Sequence, residues 1–339
     1  MAAYNGEKYI RQCMESLLNQ QFGDFELLII NDASTDGSVS VIESFNDPRI
    51  RLEHNERNLG LAVTLNCGLD MIDTEFVARM DCDDLCPPDR FQKQVDYLTA
   101  HPDIGVVGMW MKAFGNPKME GLVRCPTGSE CIKAYMLFGN PISHPTVMMR
   151  TAFLNQHELR YDPVYNRTED MDLWQRAADC FPLENIPVVG LYWRNHVGSV
   201  TLSHGSVMEN QHDTLLKRQL RKIGLNATDE EMQLHRKIGL GRRMFSIEEM
   251  AEAQDWMTRI HEMALQSGFY TERGLNKAIG MVWWRLCRNS ANLGKDIWRY
   301  SRKFAVGDSY VPPQNERFVL VLSFFYHAML RLIGRGVTS

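Results

Sequence analysis

The sequence predicts an α/β fold: a mainly parallel sheet flanked by helices, with a helical C-terminal appendage. Three observations carry this. Short apolar runs alternate with helical patterns through residues 1–110, the signature of a layered parallel sheet. Beyond residue 203 the strand signals stop and long helical stretches follow. A length of 339 residues with 44% hydrophobic content supports one large or two ordinary domains, each with a sizeable core.

Residues 25–30 form an apolar, β-branched run suited to burial on both faces of a parallel sheet. Residues 49–53 alternate as a more exposed strand, and 76–80 and 104–110 supply two more. Helical patterns cover 9–18, 37–45, 61–71 and 88–98, the last opened by Pro87-Pro88. Residues 1–4 are a stub where a first strand is expected, because the turn Asn5-Gly6-Glu7 follows at once. A central strand usually needs about five residues, so the natural start is expected upstream of Met1. From 127 to 196 the pattern becomes α+β, with a helix at 130–138, a strand at 146–150, a helix at 169–180 and a strand at 187–193. Helices are then expected at 208–222, 229–238, 247–266, 275–288 and 318–333, with a domain boundary near 205 dividing 1–205 from 206–339.

The net charge of −5 argues against a nucleic-acid partner. The longest apolar run, 318–334, is interrupted by Ser323, His327 and Arg331 and falls short of the roughly 20 apolar residues of a bilayer span. A signal peptide is not expected ahead of Asn5 and Gly6. Eight cysteines are scattered without a CxxC pair, which suggests neither a zinc ribbon nor a disulfide framework. A reduced, cytoplasmic, water-soluble protein is expected.

The sharpest local signal is Met80-Asp81-Cys82-Asp83-Asp84, directly after a strand. On an extended chain, residues i and i+2 face the same way about 6.6 Å apart. Asp81 and Asp83 therefore converge on one divalent cation, or divide between a cation and a ribose hydroxyl. Their hard oxygens suit Mg2+ or Mn2+, and strand carboxyl ends are where open α/β sheets bind ligands. The same acids also read as a helix N-cap cluster, with Asp84 capping ahead of Pro87-Pro88. Cys82 is expected to point into the core. Asp32 ends a strand, where an acceptor-only carboxylate suits a base N–H or a sugar hydroxyl, while Ser34, Thr35 and Asp36 are turn and cap residues. Asn58 and Gly60 lie at a loop-to-helix transition where backbone approaches a ligand. No GxGxxG or GxxxxGK[ST] pattern accompanies them, so dinucleotide and P-loop readings find no support. Asn66, in the helix that follows, reads equally as packing or binding.

These segments in order, from Ala3-Tyr4-Asn5-Gly6-Glu7-Lys8-Tyr9-Ile10 through Asn31-Asp32-Ala33-Ser34-Thr35-Asp36-Gly37-Ser38 and Asn58-Leu59-Gly60-Leu61-Ala62 to Met80-Asp81-Cys82-Asp83-Asp84 with Pro88-Asp89-Arg90, resemble glycosyltransferase family 2. Its members are inverting nucleotide-sugar enzymes of GT-A (Rossmann-like) fold, and the likeness covers roughly residues 1–200. The chain departs from the family at Ala3, where proline is usual. The resemblance implies a nucleotide half over about 1–115 and an acceptor half over about 116–205. Ala3, Tyr4, Glu7, Asp32, Asn58 and Gly60 would surround the nucleotide, with Asp81 nearer the ribose. Asp83 and His196 would hold Mn2+ or Mg2+, which stabilises the diphosphate leaving group. Thr168 would cap the helix opened by Glu169 and Asp170, and Asp170 would be the general base toward the acceptor hydroxyl. Glu169, Trp174, His144 and Arg194 would meet acceptor or phosphate. For His144 a packing role reads equally well, Trp174 reads as a core or acceptor-wall residue and not a chemical one, and for Arg194 and His196 a solvated loop reads equally well.

The expected partners are a nucleotide-sugar donor, UDP-linked in first preference, and a surface-glycan or lipid-linked acceptor. Two rival functions share the fold: a nucleotidyltransferase that makes activated sugars, and a non-catalytic carbohydrate-binding relative. Residues 273–335 carry eleven Lys or Arg against three acids, interleaved with Trp283, Trp284, Trp298, Tyr300, Phe304, Phe324, Phe325 and Tyr326. Such a mixture suits peripheral contact with the anionic inner face of a membrane. A helical bundle with an aromatic core and a solvated basic face is the plainer reading of the same residues.

Overall fold

The computed structural model describes residues 1–117, 119–196, 205–303, 310–312, 314 and 317. The helix expected at 318–333 lies outside the described residues. The chain divides into two compact units, Met1–Thr127 with Pro141–His212, and Gly128–Asn140 with the chain from Asp213 on. The sequence boundary near 205 and this division differ. They part chiefly at 128–140, a helix that packs on the helices of the second unit, so chain order alone misplaces it.

The first unit alternates strand and helix. It runs β1 (Ala2–Ala3), α1 (Ile10–Leu18), β2 (Leu27–Asn31), α2 (Ser38–Glu43), β3 (Ile50–His54), α3 (Leu61–Asp70), β4 (Phe76–Ala78), α4 (Arg90–Ala100) and β5 (Val106–Phe114). One sheet is parallel in the order β1-β2-β3, with Ala2 opposite Ile30 and Leu27 opposite Ile50. Every residue of β2 is buried, as a central parallel strand requires. A second sheet has the order β4-β7-β5-β6, where β6 is Gly121–Val123 and β7 is Met148–Arg150. Its longest pairing is parallel, between β5 and β8 (Leu183–Arg194). β8 begins four residues before the expected strand because its register slips around Met109, Trp110 and Met111. Pro187, which has no N–H to donate, is accommodated at that irregularity. Ile10, Met14, Leu17, Ile29, Leu98 and Val107 form the centre of the core between sheets and helices.

In the second unit α5 (Ser129–Tyr135) packs against α11 (Glu272–Asn289), together with α9 (Asp229–Gly239), α10 (Ile247–Ser267) and α12 (Lys295–Lys303). Small residues permit the close approach. A Cβ on Gly239 would stand 2.2 Å from the Phe138 carbonyl oxygen, and one on Gly274 2.7 Å from the backbone of Glu130. His235 is fully buried, facing the Leu137 carbonyl at 2.8 Å from Nε2 while Nδ1 accepts from Trp256 Nε1 at 3.1 Å. That pair of partners fixes a neutral Nε2–H tautomer. Trp283 and Trp284 are buried as well, at 3% and 9% exposure. The aromatic belt expected to face a membrane therefore loses both to the helical core. Among the described residues no helix is long and apolar enough to cross a membrane. The remaining elements are α6 (Thr151–Gln156), α7 (Glu169–Ala177) and α8 (Gly205–Lys222), the last containing the division between the units.

Candidate functional site

All the site residues expected from the sequence lie in the first unit, most of them at loops that leave the strands. The loop after β1 and the loop after β2 are laced together. Asn5 and Gly6 donate their N–H groups to Ser34 Oγ and Ser38 Oγ at 3.1 and 2.8 Å, and Glu7 N–H to Asp36 Oδ2 at 3.0 Å. In return Thr35 N–H donates to Asn5 Oδ1 at 2.8 Å and Gly37 N–H to Glu7 Oε2 at 3.0 Å. Asn5 and Ala33 hold positive φ angles of 51° and 58° within this lacing. Tyr4 projects from it half exposed. Ala3 is buried, with its carbonyl taken by Asp32 N–H at 2.8 Å. One oxygen of Glu7 is thus taken by Gly37, while the Glu7 and Tyr4 side chains both remain exposed on this platform.

Asp32 departs from its expected role. It is 3% exposed; Oδ1 accepts from Asn55 Nδ2 and Leu59 N–H, both at 2.8 Å, and Oδ2 accepts from Gly60 N–H at 2.9 Å. Its carboxylate ties down the 55–60 loop that swings into α3 at Gly60, where φ is 83°. The sequence placed Asp32 at a strand end but held no sign of its partners 23 to 28 residues on. Asn58 is exposed on the loop so held. Asn66 faces the backbone of Tyr161 with both ends of its amide, at 2.8 and 2.9 Å.

At the end of β4 the acids separate into three environments. Asp81 Oδ2 pairs with Arg79 Nη1 at 2.5 Å, both side chains lying on one face of the strand end. Asp83 Oδ2 lies 2.9 Å from His196 Nε2. Asp84 is 1% exposed, accepts Arg194 N–H at 2.8 Å on Oδ1 and leaves Oδ2 without a hydrogen-bond partner. Burial first, then the charges of Asp81 and Asp83, push its carboxyl up to about 8. Asp84 therefore joins the strand end to β8 instead of capping α4, which starts only at Arg90. Cys82 packs toward Gly6, where an added Cβ would meet its Sγ at 3.0 Å, and burial raises its thiol to about 12.

Arg194 is committed to its own chain. Nε donates to the Asp83 carbonyl at 2.7 Å and Nη2 to Gln12 Oε1 at 2.8 Å, while the guanidinium lies 4.7 Å from both the Tyr9 and Phe114 rings. It positions the acidic loop. The phosphate contact expected of it competes with these bonds. The His196 ring lies 4.6 Å from the same Tyr9 ring, tilted 45° to it.

His144 and Trp174 are both closed from solvent, at 7% and 0% exposure, so neither meets an acceptor in this arrangement. Their packing reading holds. His144 Nε2 contacts the Tyr161 hydroxyl at 2.9 Å, its Nδ1 stands 3.8 Å from Glu169 Oε1, and burial followed by the Arg79 cation keeps it well below the ordinary histidine range. Glu169 is also buried and has an unpartnered Oε2. Burial, then the charge of Asp170, push it up to about 7, with Asp81 adding to the rise and Arg79 opposing it. Tyr161 is raised by burial, and Glu169, Asp170 and Asp81 all add to that rise against Arg79. The acids of the β4 end and of the α7 start therefore share one electrostatic neighbourhood. Asp170, partly exposed, accepts Met171 N–H at 2.8 Å. Thr168 precedes α7 without a side-chain cap bond.

Four participants were missed. Arg79 had a signal, since its i, i+2 spacing puts it on the face of Asp81. Tyr161 and Gln12 reach the site only through tertiary folding. Arg90, fully buried, donates Nη2 to the Arg79 carbonyl at 2.9 Å and Nε to Gln94 at 3.0 Å, and so fixes the strand end from α4.

Among the described residues no group of three or more His, Cys, Asp or Glu is arranged to hold a metal by itself. Asp83 and His196 instead present one carboxylate oxygen and one imidazole nitrogen side by side. That pair fits Mg2+ or Mn2+ completed by diphosphate oxygens and water, the usual manner of small hard cations at phosphate sites.

A layered α/β sheet with acids at the end of one of its strands is the architecture expected of a GT-A fold. Comparison with known proteins agrees. The family model described as glycosyl transferase family 2 matches residues 1–157. The chain is 31% identical over 242 residues to an uncharacterized glycosyltransferase of Haemophilus influenzae, spanning 67% of this chain and 75% of that protein. It is 32% identical over 199 residues to the amylovoran biosynthesis glycosyltransferase AmsE of Erwinia amylovora, spanning 56% of this chain and 72% of that protein. Among solved structures, S. aureus TarS 1-349 in complex with UDP-GlcNAc aligns with a TM-score of 0.54 at 18% identity, covering 91% of this chain and 89% of that one. At that identity the likeness speaks for the fold. The chain belongs to glycosyltransferase family 2 and is a glycosyltransferase.

Proposed function

We propose that the protein is a divalent-metal-dependent, inverting glycosyltransferase that moves a sugar from a UDP-linked donor to a hydroxyl of a surface polysaccharide or lipid-linked intermediate. The observation that carries this reading is the Asp83–His196 pair at 2.9 Å, beside an Asp81 whose charge acts on the same Tyr161 as Asp170. UDP as the nucleotide is supported by the UDP-GlcNAc named for TarS, and a polysaccharide acceptor by the amylovoran role named for AmsE.

Mg2+ or Mn2+ bound at Asp83 and His196 would supply Lewis-acid stabilisation of the departing diphosphate. The chain's own residues do the rest. Tyr4 lies against the base from the laced platform, and Asp81, oriented by Arg79, accepts from a ribose hydroxyl. Arg194 and Tyr9 hold the acidic loop in place. Asp170 receives the acceptor proton as the acceptor oxygen bonds to the anomeric carbon and the carbon–diphosphate oxygen bond breaks, its electron pair leaving with UDP. A single displacement from the opposite face inverts the anomeric centre. A carboxylate at a helix N-terminus is a weak base, which suits proton transfer late in the transition state.

A thermal-shift screen of nucleotide sugars with and without Mn2+, followed by NMR of the product's anomeric configuration, tests this reading. Metal-dependent stabilisation by a UDP-sugar and an inverted product are expected. No stabilisation by any nucleotide sugar, or a retained configuration, contradicts it.

A further inference from the structure

The turn that joins α9 to α10, residues 240–246, is firmly held yet turns apolar side chains outward. Gly241 N–H donates to the Ile238 carbonyl at 2.9 Å and Arg242 N–H to the Lys237 carbonyl at 2.8 Å. Asn289 Nδ2 donates to the Gly241 carbonyl at 2.7 Å, Met244 N–H to Ser290 Oγ at 2.9 Å and Phe245 N–H to Glu249 Oε2 at 2.7 Å. Met244 is fully buried, whereas Leu240 and Phe245 are 46% and 71% exposed. Beside the turn lies a recess of about 460 Å³. Among the described residues its lining is Gln233, Arg236, Lys237, Arg242, Arg243 and Phe245, four cations and no acid. Asp213 and Glu249 pair with Arg236 and Lys237 at 2.5 and 2.9 Å, which fixes where those two charges stand. Lys237 Nζ and the Arg243 guanidinium lie 5.3 and 5.7 Å from the Phe245 ring.

We infer that this turn and recess are a docking surface for an anionic phospholipid membrane, with headgroup phosphates at the recess and Phe245 and Leu240 entering the acyl boundary. Two features select a lipid surface over a soluble phosphate. A soluble phosphate calls for cations alone, whereas this site also carries an outward aromatic ring at its rim. One exposed apolar residue is ordinary on any surface. Here two share a short turn whose backbone is tied down by five hydrogen bonds, so their outward direction is built into the fold. An anionic bilayer meets both kinds of group at once, with phosphates above and apolar chains about 5–10 Å below them. The aromatic residues Trp283 and Trp284 are not part of this surface, being buried in the helical core. None of this rests on the transfer chemistry proposed for the acidic site, and the surface is read by binding alone.

The test is sedimentation of the full chain with phosphatidylcholine vesicles, with and without about one-third phosphatidylglycerol, at low and at physiological salt. Binding is expected only with the anionic lipid, and salt should weaken it. Phe245→Ser should lower the apparent affinity roughly tenfold. Arg242→Gln combined with Arg243→Gln should lower it roughly twentyfold at low salt, about fivefold for each cation near an anionic surface. Thermal midpoints should stay unchanged, because all three side chains are exposed. If Phe245→Ser is unstable, Phe245→Trp takes its place, and it should keep vesicle binding and show blue-shifted emission on the vesicles. No binding to anionic vesicles at low salt would overturn the inference, as would binding that both the serine and the glutamine variants leave intact. Glycerol phosphate that raises the thermal midpoint of the wild type and Phe245→Ser alike, but not of the glutamine variant, would also overturn it, since the recess would then serve a soluble anion.

Discussion

Asp83 and Asp81 have the same side chain two residues apart, yet their surroundings separate them. Asp81 is paired with Arg79, whereas Asp83 faces the His196 imidazole nitrogen, and these two side chains would hold a divalent cation. Asp83→Asn keeps the shape and removes the anionic ligand, so Mn2+ should no longer add to the stabilisation given by a nucleotide donor. A donor at a hundred times its Kd stabilises by about 2.7 kcal/mol, which makes the lost part readable by thermal shift. A Mn2+-dependent shift that survives in Asp83→Asn would place the metal elsewhere. At this scale the sequence was informative where the chemistry is local. The i, i+2 spacing singled out Asp81 and Asp83, Asp170 was named through the family resemblance, and the placement of Arg79 beside Asp81 was readable by the same period-2 argument. For His144, Trp174 and Arg194 the sequence left two readings open, because burial and partners such as Tyr161 and Gln12 depend on contacts between distant segments.

Asp32 fastens one element to another. Its three charge-assisted bonds hold the 55–60 loop where β3 gives way to α3, and so decide how the exposed Asn58 is presented. Asp32→Asn turns one acceptor oxygen into a donor NH2 that faces a backbone or amide N–H, which should cost about 1.5–3 kcal/mol. A lowered thermal midpoint with faster exchange at the Leu59 and Gly60 amides is the expected result. An unchanged exchange rate there would show that the loop is held by something else. The helices α1, α3, α4, α7, α9, α10 and α11 were legible to within a few residues, since each carries a clear 3.6-residue apolar period. The three-residue strand β6 and the six-residue helix α6 are too short to establish a period. The first half of β8 was hidden by Pro187, which reads as a strand breaker until the slipped register is seen.

Across the whole molecule, the α/β order of the first unit was written in the alternation of patterns, whereas the grouping of 128–140 with the helical unit was not. One global property follows from the buried acids. Glu169 is raised to about 7 in the folded chain, above its value of about 4.3 when unfolded. Between those values the folded state holds a proton that the unfolded state has lost, so this stability is complete at low pH and disappears as pH rises through 7. His144, lowered by burial, works with the opposite sign below about 6.5. The clean readout is therefore the difference in thermal midpoint between wild type and Glu169→Gln. That difference should move in favour of Glu169→Gln between pH 5 and 8, and a pH-independent difference would remove the protonated Glu169 from the account. The central claim joins a metal-held donor at Asp83 to a base at Asp170, and one comparison addresses it most directly. With Mn2+ and a UDP-sugar that stabilises the wild type, Asp170→Asn should keep the donor-induced thermal shift and lose transfer to acceptor by at least a hundredfold, in the range of general-base loss. Wild-type turnover in Asp170→Asn would contradict the assignment of the base and with it the reaction geometry proposed for this chain.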